Sequence, residues 1–216
     1  MARAPSAPGK TRLAADLGQR RLGALREALL ADTLETVCAL PHVDVAVFVT
    51  PDGADAEVLA LSPRPVPVIA QRGQDLGERM RDALIELIER RRYDAAILVG
   101  TDAPLLTAEH FDDAALLLRT RGGVVLGPAD DGGYYLIGMT TVVAGLFDGI
   151  EWGSDEVLLE TMRAAERLRI DACLIRGAYD IDTIADLHRL GRDLHLAAPD
   201  VAPNVRRYFR DVPNAR

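Results

Sequence analysis

The chain contains few cysteines and histidines and no long apolar run. Its two cysteines, Cys38 and Cys173, lie far apart and form no CxxC pattern, which is typical of a protein in a reducing compartment that holds no structural zinc. The four histidines form neither an HxxxH nor an HExxH pair. There is no run of about 18 apolar residues and no apolar segment behind the N-terminus. The sequence therefore predicts no membrane span and no export signal, and we expect a cytoplasmic protein.

Positive charge is also scarce. The chain has 25 lysines and arginines against 33 aspartates and glutamates, which gives a formal net charge of −8. A general nucleic-acid-binding protein needs a basic face, so nucleic acid is not an expected partner. A length of 216 residues with 49% hydrophobic residues fits one globular domain. We predict a single domain over residues 1–197 and a loosely packed tail over residues 198–216, which contains three prolines.

Apolar runs that predict strands alternate with amphipathic segments that predict helices. The run over residues 95–99 is continuous and ends at Gly100, which is typical of a parallel strand buried on both faces. This alternation favours a mostly parallel sheet with helices on both faces. Other predicted strands cover residues 43–49, 66–70, 124–126, 134–137 and 172–175, and predicted helices cover residues 19–40, 57–61, 76–88 and 107–121.

Acidic residues follow or interrupt several of these strands. Asp102 follows the strand at residues 95–99, at the sheet edge where ligands bind in open α/β proteins. Two interpretations stay open: Asp102 caps a turn, or it binds Mg²⁺ or Mn²⁺ together with a substrate phosphate. Asp131, Asp180 and Asp182 lie in two further loops of this kind. If the carboxyl ends of the strands gather at one edge, these acids converge.

A basic turn precedes the first predicted helix. Gly9, Lys10 and Thr11 resemble part of a Walker A loop, but that loop needs a glycine where Ala4 stands, and prolines here remove N–H groups that would face phosphate. Lys10 and Arg12 beside a flexible glycine at a helix start still suit the binding of a di- or triphosphate. The alternative is a solvated basic N-terminus.

Two glycine-containing loops have both a structural and a functional interpretation. Residues 71–77, with Gln74 and Gly77, form either a simple strand-to-helix turn or a loop that contacts a nucleotide. The segment Asp131-Gly132-Gly133 lies between two apolar runs, which predicts a hairpin. Adjacent glycines would also let the backbone approach a ligand closely.

Two predicted helix starts lie in the C-terminal third. Ser154 is predicted to cap a helix, and Trp152 just before it is either a core residue or a platform for a sugar or base. Thr183 and Asp186 have the spacing of a capping box.

Several short segments together carry a resemblance to known proteins: residues 8–13 (PGKTRL), 74–80 (QDLGERM), 100–104 (GTDAP), 127–138 (GPADDGGYYLIG) and 179–183 (YDIDT), with Trp152. They resemble a bacterial family of glycosyltransferase-like proteins of unknown function in the nucleotide-diphospho-sugar transferase superfamily, associated with arsenosugar biosynthesis. The chain is more distantly similar to phospholactate and phosphoenolpyruvate guanylyltransferases. The resemblance covers nearly the whole chain.

The resemblance implies a Rossmann-like α/β/α sandwich of the glycosyltransferase A type and a set of site residues. It implies Lys10, Asp102 and Asp182 as catalytic residues, with Mg²⁺ or Mn²⁺ held by Asp102, Asp180 and Asp182. Two groups complete the set: nucleotide-binding residues Gly9, Lys10, Arg12, Gln74 and Gly77, and substrate-binding residues Asp131, Gly132, Gly133, Tyr134, Trp152 and Ser154.

The chain departs from the family pattern at two places. Gly153 and Ser154 stand where the family more often has Ser-Thr, which affects the expected acceptor contacts. The family also has a strand before the loop that contains Lys10, and residues 1–4 would be only the end of that strand. We therefore expect these residues to form a short strand in the middle of the sheet and the natural chain to begin upstream.

Three functions follow as hypotheses. The leading one is a metal-dependent glycosyltransferase that moves a sugar from a nucleotide-diphospho-sugar to a small acceptor, working as a monomer or homodimer. The second is a guanylyltransferase-like nucleotidyltransferase that couples an NTP to a phosphorylated small molecule and releases pyrophosphate. The third is a non-catalytic nucleotide-binding protein on the same fold.

Overall fold

A computed structural model describes residues 1–211 of the chain. The strands are β1 (Ala2–Arg3), β2 (Val47–Thr50), β3 (Val68–Ala70), β4 (Ala96–Val99), β5 (Val124–Pro128), β6 (Tyr134–Met139) and β7 (Ala172–Leu174). The helices are α1 (Thr11–Leu17), α2 (Gln19–Cys38), α3 (Asp55–Leu61), α4 (Leu76–Leu84), α5 (Ala108–Arg121), α6 (Val157–Leu168), α7 (Ile184–Asp193) and α8 (Pro203–Asp211), and a π-helical segment, Ile85–Arg90, follows α4.

The chain divides into two compact units. The first unit consists of residues 2–70, residues 101–108 and the described residues from Asp180 onward; the second consists of Met1 and residues 71–100 and 109–179. Residues on both sides of position 197 belong to the first unit, so this division does not follow the predicted domain boundary.

The first unit contains a parallel three-stranded sheet in the order β1-β2-β3. Its strands are short, and Val47 and Val49 of β2 pack with Leu30 and Leu34 of α2 in a buried apolar cluster. The first residues form a short strand, as predicted, with Ala2 opposite Val49. The prediction that this strand lies in the middle of the sheet was wrong, because β1 is at the edge of the three-stranded sheet and pairs with β2. This strand leads directly into the loop that contains Lys10.

The second unit contains a four-stranded sheet in the order β4-β6-β5-β7. Strand β6 is antiparallel to both β4 and β5, whereas β5 and β7 are parallel. The predicted hairpin of β5 and β6 is confirmed. The prediction of a parallel, fully buried strand at residues 95–99 was wrong, because β4 pairs antiparallel with β6 and only Ala96 and Leu98 are buried. A four-residue apolar run carries too little periodicity to distinguish these cases.

Across both units the fold is a mixed α/β structure in which three of the five described strand pairings are parallel. This confirms the prediction of an α/β protein with a mainly parallel sheet. No helix of residues 1–211 is both long enough and apolar enough to cross a membrane.

Helix boundaries agree with the sequence predictions in part. The capping box is confirmed: the Thr183 hydroxyl accepts from the Asp186 backbone N–H, and the Asp186 side chain accepts from the Thr183 backbone N–H. The prediction of Ser154 as a helix cap was wrong, because α6 begins at Val157 with Glu156 in the cap position. The Ser154 hydroxyl instead accepts a hydrogen bond from the Glu156 N–H at 3.3 Å, within the turn that precedes the helix.

The segment beyond residue 197 contains a packed helix. Val205, Tyr208 and Phe209 of α8 are buried. The Asp32 carboxylate of α2 accepts hydrogen bonds from the backbone N–H groups of Asn204 (2.8 Å) and Val205 (2.9 Å), so it caps the start of α8. The prediction of a loosely packed tail was therefore wrong for Pro203–Asp211; residues 212–216 lie outside the described part.

Candidate functional site

The lysine loop, residues 4–10, joins β1 to α1 in the first unit. Lys10 is the cap residue of α1 and has left-handed backbone angles, φ 50° and ψ 52°. A non-glycine residue pays about 1–2 kcal/mol for this conformation, and such strain often marks functional sites. Gly9 before it has φ 152° and lies against the Arg3 side chain, whose Cδ is 3.4 Å from the place of an added Cβ. The loop therefore presents Lys10 in one defined direction.

The Lys10 side chain meets two carboxylates that are remote in sequence. Its Nζ lies 2.6 Å from Oδ1 of Asp182 and 3.1 Å from Oδ2 of Asp102, and it donates a hydrogen bond of 2.8 Å to the Ile181 carbonyl oxygen. The Ile181 N–H in turn donates to the Asp102 carbonyl oxygen at 3.1 Å. Lys10, Asp102 and Asp182, all predicted from sequence, thus form one cluster.

The charges of this cluster are unequally exposed. The Lys10 side chain is 11% exposed, whereas those of Asp102 and Asp182 are 47% and 51% exposed. Burial by itself lowers the pKa of Lys10, but the charges and hydrogen bonds of the two carboxylates outweigh it, so that its pKa is raised. Lys10 is therefore a stable cation, and two accessible carboxylates against one ammonium leave an excess negative charge that a further cation can neutralise.

The two carboxylates beside Lys10 are candidate ligands for a divalent metal ion. Within residues 1–211, no three His, Cys, Asp or Glu side chains are arranged to hold a metal ion, so the predicted set of Asp102, Asp180 and Asp182 is not assembled. The Lys10 ammonium lies between Asp102 and Asp182 instead. Those two carboxylates do converge on one cation, and Mg²⁺ commonly uses one or two carboxylates plus substrate phosphate oxygens. The pair Asp102 and Asp182 therefore fits a metal shared with a substrate.

Other basic residues accompany the loop. Arg12, predicted from sequence, lies on α1 and is exposed. Arg3 was not predicted; it is exposed on β1 and donates a hydrogen bond of 2.9 Å to the Pro8 carbonyl oxygen. A third residue, Arg26, is buried on α2 and was also missed. An arginine among the regularly spaced leucines of an amphipathic helix is the signal that could have identified it.

Gly77 and Trp152, both in the second unit, are brought together by packing. A Cβ added to Gly77 would lie 2.4 Å from Cζ2 of Trp152, so the indole lies directly on the first turn of α4. Trp152 also contacts Phe147, with ring centroids 6.3 Å apart. This packing favours the core interpretation of Trp152, and it gives Gly77 a structural reason to lack a side chain.

The predicted nucleotide contact Gln74 takes part in the entry to the same helix. Its backbone N–H donates to the Glu78 side chain at 2.7 Å, and the Asp75 carboxylate caps α4 by accepting from the Glu78 N–H at 2.8 Å. Gln74 is exposed. The contacts of residues 74–78 thus account for a strand-to-helix turn.

The turn of the β5–β6 hairpin forms a hydrogen bond within itself and packs against the segment before α6. The Gly133 N–H donates to Oδ1 of Asp131 at 2.9 Å. Gly132 has φ 86°, and a Cβ there would lie 1.9 Å from the Asp155 carbonyl oxygen, so only glycine fits. Burial raises the pKa of Tyr134 far above its ordinary value, which keeps its hydroxyl neutral. These contacts favour the structural interpretation of this segment.

Comparison with known proteins identifies the family. Residues 33–154 match the model of a family described as uncharacterized proteins conserved in bacteria, DUF2064. The chain belongs to this family. The matched residues include Asp102 and the hairpin of the second unit, but the lysine loop and Asp182 lie outside them.

Two proteins that are similar to this chain are guanylyltransferases. The chain is 31% identical over 186 residues to phosphoenolpyruvate guanylyltransferase from Sphaerobacter thermophilus, covering 84% of this chain and 86% of the relative. It is 29% identical to 3-phospho-D-glycerate guanylyltransferase from Phenylobacterium zucineum, covering 85% and 84%. Both alignments extend over most of each protein.

Solved structures share the fold. A protein from Desulfovibrio desulfuricans, described as a nucleotide-diphospho-sugar transferase, has a TM-score of 0.88 at 30% identity, covering 99% of this chain and 93% of its own. A cytidylyltransferase from Leptospira borgpetersenii has a TM-score of 0.56 at 16% identity, covering 87% and 84%, which shows the fold alone. Together the similarities support a transferase that uses a nucleotide substrate.

Proposed function

We propose that the protein is a nucleotidyltransferase that couples an NTP to a phosphorylated small acceptor. The observation that carries this proposal is the buried Lys10 ammonium, held 2.6 Å and 3.1 Å from two accessible carboxylates at the start of α1. A fixed cation beside carboxylates that can share a metal is suited to holding a polyphosphate and stabilising its negative charge. The two guanylyltransferase relatives support nucleotidyl transfer in particular.

In the proposed reaction, an oxygen of the acceptor phosphate attacks the α-phosphorus of the NTP. The bond between the α-phosphorus and the oxygen that bridges to the β-phosphate breaks, and pyrophosphate leaves with that oxygen. Lys10 and Arg12 bind phosphate oxygens, and Lys10 stabilises the charge that develops on the leaving group. A Mg²⁺ or Mn²⁺ ion, held by Asp102 and Asp182 with substrate oxygens, would supply further charge neutralisation.

The substrates of the two relatives suggest which substrates to test. One relative is a guanylyltransferase for phosphoenolpyruvate and the other for 3-phospho-D-glycerate, both small acids that carry a phosphate. We propose GTP as the donor and an acid of this class as the acceptor. A phosphorylated acid brings two negative groups, which suits a site where the exposed cations Arg3 and Arg12 flank the lysine loop.

A second candidate is transfer of a sugar from a nucleotide-diphospho-sugar. The observation in its favour is the similarity to the Desulfovibrio protein described as a nucleotide-diphospho-sugar transferase, at 30% identity. The same cluster would then stabilise a nucleoside diphosphate as the leaving group. The two reactions differ in the bond that breaks, since sugar transfer leaves the phosphoanhydride intact.

One experiment separates these candidates. The protein is incubated with Mg²⁺ or Mn²⁺ and either NTPs plus phosphorylated acids or nucleotide-diphospho-sugars plus small acceptors, and the nucleotide products are resolved by ion exchange. We expect pyrophosphate from the NTP arm. Release of a nucleoside diphosphate from the sugar arm alone would favour the glycosyltransferase. Tight nucleotide binding without turnover in either arm would favour a non-catalytic nucleotide-binding protein.

A further inference from the structure

Arg26 is a buried cation whose partners are backbone carbonyl groups. It lies on α2, and the whole residue is 8% exposed. One of its NH groups donates to the Ala4 carbonyl oxygen at 2.9 Å, and another donates to the Ala7 carbonyl oxygen. Arg26 forms no ion pair within the described part of the chain. Burying a charge in this way costs free energy. The contacts of Arg26 with the two carbonyl groups therefore suggest a role for this residue.

The two carbonyl groups bracket one turn of the lysine loop. The Ala7 N–H donates to the Ala4 carbonyl oxygen at 3.0 Å, which closes the turn, and both alanines are buried. A buried carbonyl group without a donor is costly, so Arg26 stabilises this turn against other conformations. Lys10 follows Ala7 by three residues.

Glu57 of α3 supports the same turn with the opposite charge. Its Oε1 accepts a hydrogen bond of 2.7 Å from the Ser6 N–H, and its Oε2 accepts one of 2.7 Å from the Ser6 hydroxyl. A cation thus binds the carbonyl oxygens of the turn and an anion binds its donors. Two helices therefore fix the loop before the chain reaches Lys10.

We infer that Arg26 is a positioning residue that sets the place of Lys10 for binding nucleotide phosphates, with Glu57 as its counterpart. Arg26 acts through the turn of residues 4–7, whose carbonyl oxygens it binds, and not by contact with the substrate. Its effect on nucleotide binding rests on the proposed function, whereas its effect on the order of the loop does not.

The test uses Arg26→Ala and Arg26→Lys in the full chain, with Arg20→Ala as the matched control. Arg20 lies on the same helix and is exposed. Amide hydrogen exchange is measured over residues 4–12, and affinity is measured for GTP and for guanosine. We expect faster exchange over residues 4–12 in both Arg26 variants, and a loss of about 100-fold in GTP affinity or kcat/KM, the order expected for a misplacement of about 1 Å.

Rescue distinguishes positioning from general stability. Guanidinium ion at concentrations well below those that denature the protein is expected to restore slow exchange and GTP affinity in Arg26→Ala, and to leave Arg20→Ala unchanged. If Arg26→Ala does not fold, Arg26→Lys provides the same two readouts. Unchanged exchange over residues 4–12, or equal losses for GTP and guanosine, would overturn the inference. If the wild type binds no nucleotide, the proposed function fails, and the exchange measurement still decides the role of Arg26 in the loop.

Discussion

Lys10 and Asp182 are 172 residues apart in the chain, and Nζ of Lys10 donates to Oδ1 of Asp182 at 2.6 Å. Asp182 lies just before the capping residue of α7, whose capping box fixes the local backbone. The contact therefore joins two helix starts, those of α1 and α7, through one ion pair. Because a second carboxylate, Asp102, shares the same ammonium, the charge of Lys10 is already compensated before any phosphate binds.

Removal of the cations at the start of α1 is expected to affect phosphate binding selectively. Lys10→Ala and Arg12→Ala should each weaken nucleotide affinity by about 1–3 kcal/mol, the range for charge-assisted hydrogen bonds. The corresponding nucleoside should bind each variant as it binds the wild type. Isothermal titration calorimetry measures both, with Arg20→Ala as the control for loss of a surface cation. Equal losses for nucleoside and nucleotide would show that the loop only supports the structure.

Asp102→Asn is expected to lower turnover by at least about 100-fold, as expected for loss of a charge-stabilising group. The substitution keeps the size of the side chain. It relieves repulsion between two carboxylates but also removes one ion pair of Lys10, and because these two effects oppose each other, the melting temperature without ligand should change little. Asp113→Asn is a matched control, because Asp113 also pairs with one basic residue and has similar exposure, 42% against 47%. Unchanged nucleotide and Mn²⁺ binding in Asp102→Asn would assign Asp102 to the turn alone.

The Lys10 cluster is expected to make the protein sensitive to alkaline pH. Burial opposes the shift, but Asp102 and Asp182 raise the folded-state pKa of Lys10 above its ordinary value of 10.5. The contribution of Lys10 to stability is therefore complete below that value and is lost as the pH rises through the folded-state pKa. Burial also raises the pKa of Tyr135 to about 12, but that effect is common to the wild type and a Lys10→Met variant.

The measurement is the melting temperature of wild type and Lys10→Met from about pH 8 to about pH 11.5. The difference in melting temperature between wild type and Lys10→Met should be constant near pH 8. It should become smaller as the pH rises above the ordinary lysine pKa of 10.5. A difference that stays constant over the whole range would contradict a stabilising role of the Lys10 ion pairs.

Gly77→Ala is expected to destabilise the second unit. The new Cβ would lie 2.4 Å from Trp152, and such overpacking costs about 1–3 kcal/mol. The intrinsic fluorescence of Trp152 should change because the indole must move. Gly23→Ala in α2 is the control: an added Cβ there meets nothing within 4 Å, and alanine favours a helix by about 0.8–1 kcal/mol. Equal melting temperatures of the two variants would contradict the packing account.

The sequence was sufficient to predict the α/β class and the residues that now form one cluster. Lys10, Asp102 and Asp182 were predicted because each follows a strand or begins a helix, and both kinds of position lie at the ligand-binding edge of such folds. Strand direction was harder to predict. Strand β4 is a short apolar run that would fit either a parallel or an antiparallel neighbour. Its neighbour in the sheet is β6, and the two strands are antiparallel.

Close packing explains most of what the sequence did not reveal. Whether Gly77 and Gly132 face a ligand or a protein group depends on what packs against them, here Trp152 and Asp155. The resulting contacts are between elements far apart in the chain. Arg26 was missed for a similar reason, since its carbonyl partners have no signature in the sequence.

The most direct test of the central claim follows the label of two GTP samples in parallel. The protein is incubated with Mg²⁺, phosphoenolpyruvate or 3-phospho-D-glycerate, and GTP that carries ³²P at either the α- or the γ-position. Nucleotidyl transfer predicts that α-label enters the acceptor product and γ-label appears in pyrophosphate, in equal amounts, and that Lys10→Ala and Asp102→Asn lose both. Label from the γ-position in the acceptor product or in inorganic phosphate, with no α-label transferred, would contradict the account.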